Sequence, residues 1–88
     1  MFEWDEAKRL RTIEERGLDF VDAVLVFDGR PAVHIPATYG NEERVLSVAS
    51  IEGRFYTVVW TWRSGFRRII SFRRSRDGEE NLYRAAHR

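Results

Sequence analysis

Arg73 and Arg74 close a run, Phe66–Arg74, in which apolar and basic residues alternate. Glu79 follows after a polar break, and Tyr83 comes four residues after Glu79. Guanidinium is a planar, permanently charged fork that matches a phosphate or a carboxylate. It holds its proton too firmly to act as a base, so the arginines serve as clamps. A carboxylate can orient such a clamp or take a proton, and a phenol can give one. Cations, carboxylate and phenol gathered in one short segment make a candidate phosphate-handling site. The same arginines, paired with Glu79 and Glu80 at the surface, would be only a weak structural feature.

The elements that position these groups follow from periodicity. A strand sends successive side chains to opposite faces. Ile69, Ser71 and Arg73 are therefore expected on one face, with Arg68, Ile70, Phe72 and Arg74 on the other. Asp77, with Glu80 three residues on, is a helix-start pattern, and the helix is expected to run to near Arg88. Glu79 and Tyr83, at i and i+4, then share a face.

Upstream, Met1–Trp4 is a short strand or an extended entry. Asp5 caps a helix over Glu6–Arg16, in which Ala7, Leu10 and Ile13 form a narrow apolar stripe. Gly17 stops it. Asp19 caps a second helix lined by Phe20, Ala23, Val24 and Phe27, with strand as the alternative over Val24–Phe27. Ala32–Ile35 is a short strand at or near a sheet edge, because prolines 31 and 36 flank it. Pro36–Glu42 is a polar loop. Glu43–Ile51 and Arg54–Trp62 are strands rich in β-branched and aromatic residues, joined by the turn at Glu52–Gly53. Alternation puts Tyr56, Val58, Trp60 and Trp62 on one face, with Trp62 exposed near the following turn. The expected fold is α+β: two N-terminal helices, an antiparallel sheet of about four strands with three in a meander, and a C-terminal helix.

Eighty-eight residues suit one domain, residues 1–88. There is no cysteine, which excludes disulfides and thiolate metal sites. His34 and His87 have no Cys, His or carboxylate partner at a metal-ligand spacing, so no metal and no cofactor is expected. No apolar run approaches the roughly 20 residues of a membrane span, and no export signal is visible. The cytoplasm is the expected location. The net charge of +1 conceals a split. Residues 1–53 carry eleven acids and six bases, whereas residues 54–88 carry nine arginines and three acids. From Arg54 to Arg76 there is no acid at all. That asymmetry points to a polyanion or an acidic protein surface as partner.

The order of motifs resembles the BrnT family of toxins from bacterial type II toxin–antitoxin pairs. The resemblance rests on Phe2-Glu3-Trp4-Asp5 with Ala7-Lys8, Gly17 followed by Asp19-Phe20 and Ala23, and Val26-Phe27-Asp28. It continues through Glu42-Glu43-Arg44, Arg68-Ile69-Ile70-Ser71, Arg73-Arg74, Glu79 and Tyr83. It departs where the family commonly has Lys-His before the glycine, since Glu15 and Arg16 stand here, and at Gly78, which should delay or loosen the last helix. The resemblance implies a RelE-like fold and a metal-independent ribonuclease that blocks translation, acting on RNA free or on the ribosome. It implies inhibition by a cognate, BrnA-like antitoxin that carries the DNA-binding domain, so that operator DNA is met only through that partner. Such cleavage uses the 2′-hydroxyl as nucleophile and needs a base, cations for the transition state and a proton for the leaving oxygen. Arg73, Glu79, Tyr83 and Lys8 are the candidate catalytic residues, with Glu79 either base or orienter. Arg74, Arg68, Arg76 and Trp62 are the candidate RNA-binding residues. The alternative is a non-catalytic module whose basic face docks an acidic protein or a nucleic acid.

Overall fold

In the computed structural model, which describes residues 1–88, the chain runs β1 (Phe2–Trp4), α1 (Glu6–Arg16), α2 (Phe20–Ala23), a 3₁₀ turn (Val24–Phe27), β2 (Ala32–Tyr39), β3 (Glu42–Ile51), β4 (Arg54–Arg63), β5 (Phe66–Arg74) and α3 (Asp77–Ala86). The class is α+β, as expected, but the sheet has five strands and is mixed. Its order is β1-β5-β4-β3-β2. β1 pairs in parallel with the first half of β5, Phe2 opposite Arg67 and Trp4 opposite Ile69. The remaining pairs are antiparallel.

Local chemistry sets the boundaries. The Asp5 carboxylate accepts from the Ala7 and Lys8 amides at 3.0 and 3.3 Å and starts α1. Gly17, at φ +68°, ends it in the left-handed conformation. Asp19 caps α2 through the Val21 amide. Val24–Phe27 continues as a tighter helical turn rather than a strand. The expected loop at Pro36–Glu42 is instead the end of β2 and a tight turn at Gly40–Asn41. β2 is one of the two edge strands, the place where a proline, with no N–H to give, is tolerated. The turn residues Glu52–Gly53 and Ser64–Gly65 all have positive φ, the geometry that matches the twist of two-residue hairpins.

The core lies between the sheet and α2 with its 3₁₀ extension. Phe20, Ala23 and Val26 come from the helical side, and Ala49, Val58, Trp60, Ile69 and Phe72 from the sheet. Ile69 and Phe72 are both buried on the core face although they stand three positions apart, which strict alternation would send to opposite faces. A bulge explains this. Trp60 pairs with Ile69 and Val59 with Ser71, leaving Ile70 without a partner. The expected alternation therefore holds only beyond the bulge: Phe72 and Arg74 share the core face, but Ile69 joins them and Arg68 does not.

α3 covers part of the opposite face. It starts at Asp77, with Arg76 as the capping residue; Asp77 is the first helical residue rather than the cap. Glu79, not Glu80, reaches back to the Arg76 amide at 2.9 Å. Gly78 sits inside the helix and delays nothing. The apolar stripe of α1 is also a correction. No residue of α1 is buried, and Leu10 is 54% exposed. The helix is tied on through polar groups instead: Arg9 to Asp19 at 3.0 Å, and Arg16 to the Phe72 carbonyl at 3.4 Å.

Candidate functional site

The antiparallel β4–β5 pair brings the start of β4 beside the end of β5. Tyr56 lies opposite Arg74 and Thr57 opposite Arg73. The end of α1 reaches the same place, because Gly17 turns the chain there. The result is a hollow of about 550 Å³ lined by Arg16, Gly17, Leu18, Arg54, Tyr56, Arg73 and Arg74. Four arginines and a tyrosine line it, and no acidic residue does. Arg74 is exposed, with its guanidinium 5.5 Å from the centre of the Tyr56 ring. A second hollow adjoins it through Leu18, Arg54 and Tyr56, with Leu25, Ile51 and Phe72 and the acidic residues Asp22 and Glu52 on its walls.

Arg73 is held differently from its neighbour. Its two terminal nitrogens each lie 2.8 Å from one oxygen of Glu79. Glu79 is only 9% exposed. It also accepts from the Thr57 hydroxyl at 2.8 Å and from the Arg76 amide at 2.9 Å. Thr57 is in turn 2.8 Å from the Ser75 hydroxyl. The Arg73 fork is the main influence holding the Glu79 carboxyl down at about 2, with the Arg76 amide and Thr57 adding to it and burial opposing them. Glu79 is thus an ionised, fully engaged anchor for Arg73. The Nε–H of Arg73 makes no hydrogen bond within the chain.

Tyr83 shares the face of α3 that carries Glu79, but it does not line the arginine hollow. Its ring packs on Phe55 at 4.9 Å and against His87 at 4.7 Å. Lys8 lines a separate hollow of about 210 Å³ with Arg44, Arg63 and Arg68, alongside Asp5 and Glu42. Burial there lowers the Lys8 pKa, and the nearby Arg44 charge lowers it further. Arg68 is paired with Glu3 at 2.9 Å across the β1–β5 edge. Arg76 is exposed at the cap of α3. Trp62 is 60% exposed. It lies six residues along β4 from Tyr56, about 20 Å away at the opposite end of the sheet. The structure therefore brings Arg73, Arg74 and Glu79 together and leaves Lys8, Tyr83 and Trp62 elsewhere.

Arg16, Arg54 and Tyr56 are the residues that sequence reasoning missed. The signal for two of them was present: a tight turn at residues 63–65 folds the start of β4 onto the end of β5. Arg16 depended on how the α1–α2 corner packs, which local pattern does not determine.

These features define a small α+β protein with an arginine-lined hollow at one end of its sheet, fit for a polyanion. A family model, described as "Ribonuclease toxin, BrnT, of type II toxin-antitoxin system", matches residues 4–79, and the chain belongs to that family. No curated protein matches the chain significantly. The family carries a protein antitoxin and RNA targets with it. No helix of the structure is long and apolar enough to cross a membrane.

Proposed function

We propose that the chain is a metal-independent endoribonuclease that inhibits translation, acts as one RelE-like toxin domain in the cytoplasm, and is neutralised by a cognate BrnA-like antitoxin. The observation that carries this reading is the hollow with Arg16, Arg54, Arg73 and Arg74 on its walls and no acid among them. A scissile phosphate entering it meets several fixed cations, which stabilise the added charge of the phosphorane-like transition state. Arg73 borders the hollow from the end of β5, with its side chain on the α3 face of the sheet. Glu79 positions it by engaging both terminal nitrogens, which leaves the Nε–H as the donor open to a phosphate. Arg74, Arg54 and Arg16 hold the flanking charge. Tyr56 is the group in the hollow able to move a proton: it donates to the leaving 5′-oxygen, while the 2′-hydroxyl proton passes to solvent water, which reprotonates the phenolate. Lys8 and Arg68, one long helix side away from Arg16, continue the basic track along which the strand leaves; Lys8 and Arg16 are eight residues apart on α1, about 12 Å. Arg76 adds to the field at the rim. Tyr83 supports α3 through Phe55.

A second reading is favoured by one observation. The hollow contains no histidine and no free carboxylate, and Glu79 is too fully engaged to take a proton. A non-catalytic basic dock would look the same. Purified chain incubated with RNA in EDTA separates the two. The toxin reading expects cleavage, reduced at least about 100-fold in Arg73→Ala, the size of loss seen when one transition-state donor is removed. Intact RNA after incubation with wild type leaves only the dock. Cleavage by Arg73→Ala at the wild-type rate removes Arg73 from the site.

A further inference from the structure

The opposite end of β5 carries a second cation without a partner. The Arg67 guanidinium sits among four aromatic rings, 4.1 Å from the centre of Phe27, 4.4 Å from Trp60, 5.0 Å from Trp62 and 5.6 Å from Phe2. No carboxylate pairs with it, and its Nε is buried without a hydrogen-bond partner. The rings offset part of the cost of burying the charge, but they cannot accept its in-plane N–H bonds, which need oxygen acceptors. On one side, Arg67 borders a hollow of about 220 Å³ that His34 also lines. Ser47 Oγ accepts from Trp60 Nε1 at 2.8 Å and lies 2.7 Å from His34 Nδ1. With the Ser47 hydrogen directed at Nδ1, His34 carries its own hydrogen on Nε2, a second donor. On the other side stands Trp62, braced edge-on against Trp60 at 5.2 Å and 60% exposed.

We propose that Arg67 and Trp62 form a nucleotide subsite, in which a phosphate of single-stranded RNA reaches Arg67 from the His34 hollow while the adjoining base stacks on Trp62. This deepens the toxin reading and rests on it for the identity of the RNA. An unpaired fork beside a bare aromatic face supplies both contacts that one nucleotide needs, charge and stacking. The acid-free composition from Arg54 to Arg76 keeps competing carboxylates of the same segment away.

The test uses the full chain and a non-cleavable 2′-O-methyl oligoribonucleotide, followed by fluorescence anisotropy across salt concentrations. Trp62→Leu should weaken binding roughly tenfold, the scale of one lost base stack, without changing the salt slope. Arg67→Gln should also weaken binding and reduce the slope of log K against log salt by about 0.7, one phosphate contact on a single strand. Arg67→Lys should retain that slope. If Arg67→Gln does not fold, Trp62→Leu, at an exposed position, decides alone. Wild-type affinity in Trp62→Leu, or no binding by wild type, overturns the subsite. Unchanged RNA binding with loss of antitoxin binding in these variants also overturns it and makes the surface a protein dock. Binding with the expected pattern by a wild-type chain that never cuts RNA leaves the subsite standing and removes the catalytic reading.

Discussion

Beneath α2 the sheet presents Val58, Trp60, Ile69 and Phe72, and Phe20 fills the space between them without a polar atom. Beneath α3, one residue along the same strands, it presents Thr57 and Arg73, bonded to Glu79. Both faces are closed to water at these points, yet they do different work. The apolar face gains free energy simply from area removed from water, and it tolerates small shifts in position. The polar face has little net gain to offer, because its hydrogen bonds replace bonds to water. It instead fixes one guanidinium in one orientation, since every alternative arrangement strands a buried charge. The teaching of the contrast is that the first face makes the fold and the second aims it.

The comparison breaks most visibly at Phe72. It is 2% exposed, central to the apolar face, and tilted against Tyr56 at 5.5 Å between ring centres. Phe72→Ala should cost about 3–5 kcal/mol in urea unfolding, by lost transfer free energy and the cavity left behind. A cost below that of the Glu79 variant would reverse the ranking of the two faces.

Glu79→Ala comes next, at about 2–4 kcal/mol, because it leaves Arg73 largely buried without its partner. On the proposed ribonuclease reading its larger effect should be on RNA cleavage, since Arg73 loses the partner that orients it. The acid dependence sharpens the point. Glu79 is depressed from 4.5 to about 2 in the folded chain. A carboxyl depressed by folding stabilises the protein fully above its unfolded pKa. That contribution, up to about 3 kcal/mol, should be lost as pH falls from about 4.5 towards 2. Glu79→Gln should flatten the stability profile across that window, and an unaltered acid profile in Glu79→Gln would show that other carboxylates dominate it.

Much of this was legible in the sequence. Asp5, Gly17 and Asp19 mark helix ends by chemistry confined to one turn. The glycines at 53 and 65 mark tight turns, and β4 and β5 show clear alternation. What escaped shares a cause: each depended on something distant along the chain. The parallel pairing of β1 with β5 joins residues more than sixty positions apart. The bulge at Ile70 reverses the facing of Arg68 and Ile69, and no residue type there announces it. A regular hairpin through the Ser64–Gly65 turn would have set Tyr56 opposite Arg73 rather than Arg74. The site was half legible. The arginines and Glu79 stand close in sequence, and their pairing followed. Arg16, Arg54 and Tyr56 joined them only through tertiary packing.

The α1 stripe carries the comparison to its smallest effect. Amphipathic spacing ordinarily signals burial, and Ala7, Leu10 and Ile13 have it, yet all three lie on the solvent side of the helix. α1 is attached to the α2 cap by Arg9–Asp19 and to the sheet by Arg16 on the Phe72 carbonyl, and both links are polar. A side chain that is 54% exposed at Leu10 has little apolar area to lose. Leu10→Ser should therefore change the unfolding free energy by no more than about 0.5 kcal/mol, the range of ordinary surface substitutions. A loss of several times that amount would mean that the stripe is covered in the isolated chain. α1 would then belong with the apolar face, and the division of labour between the two faces would have to be redrawn.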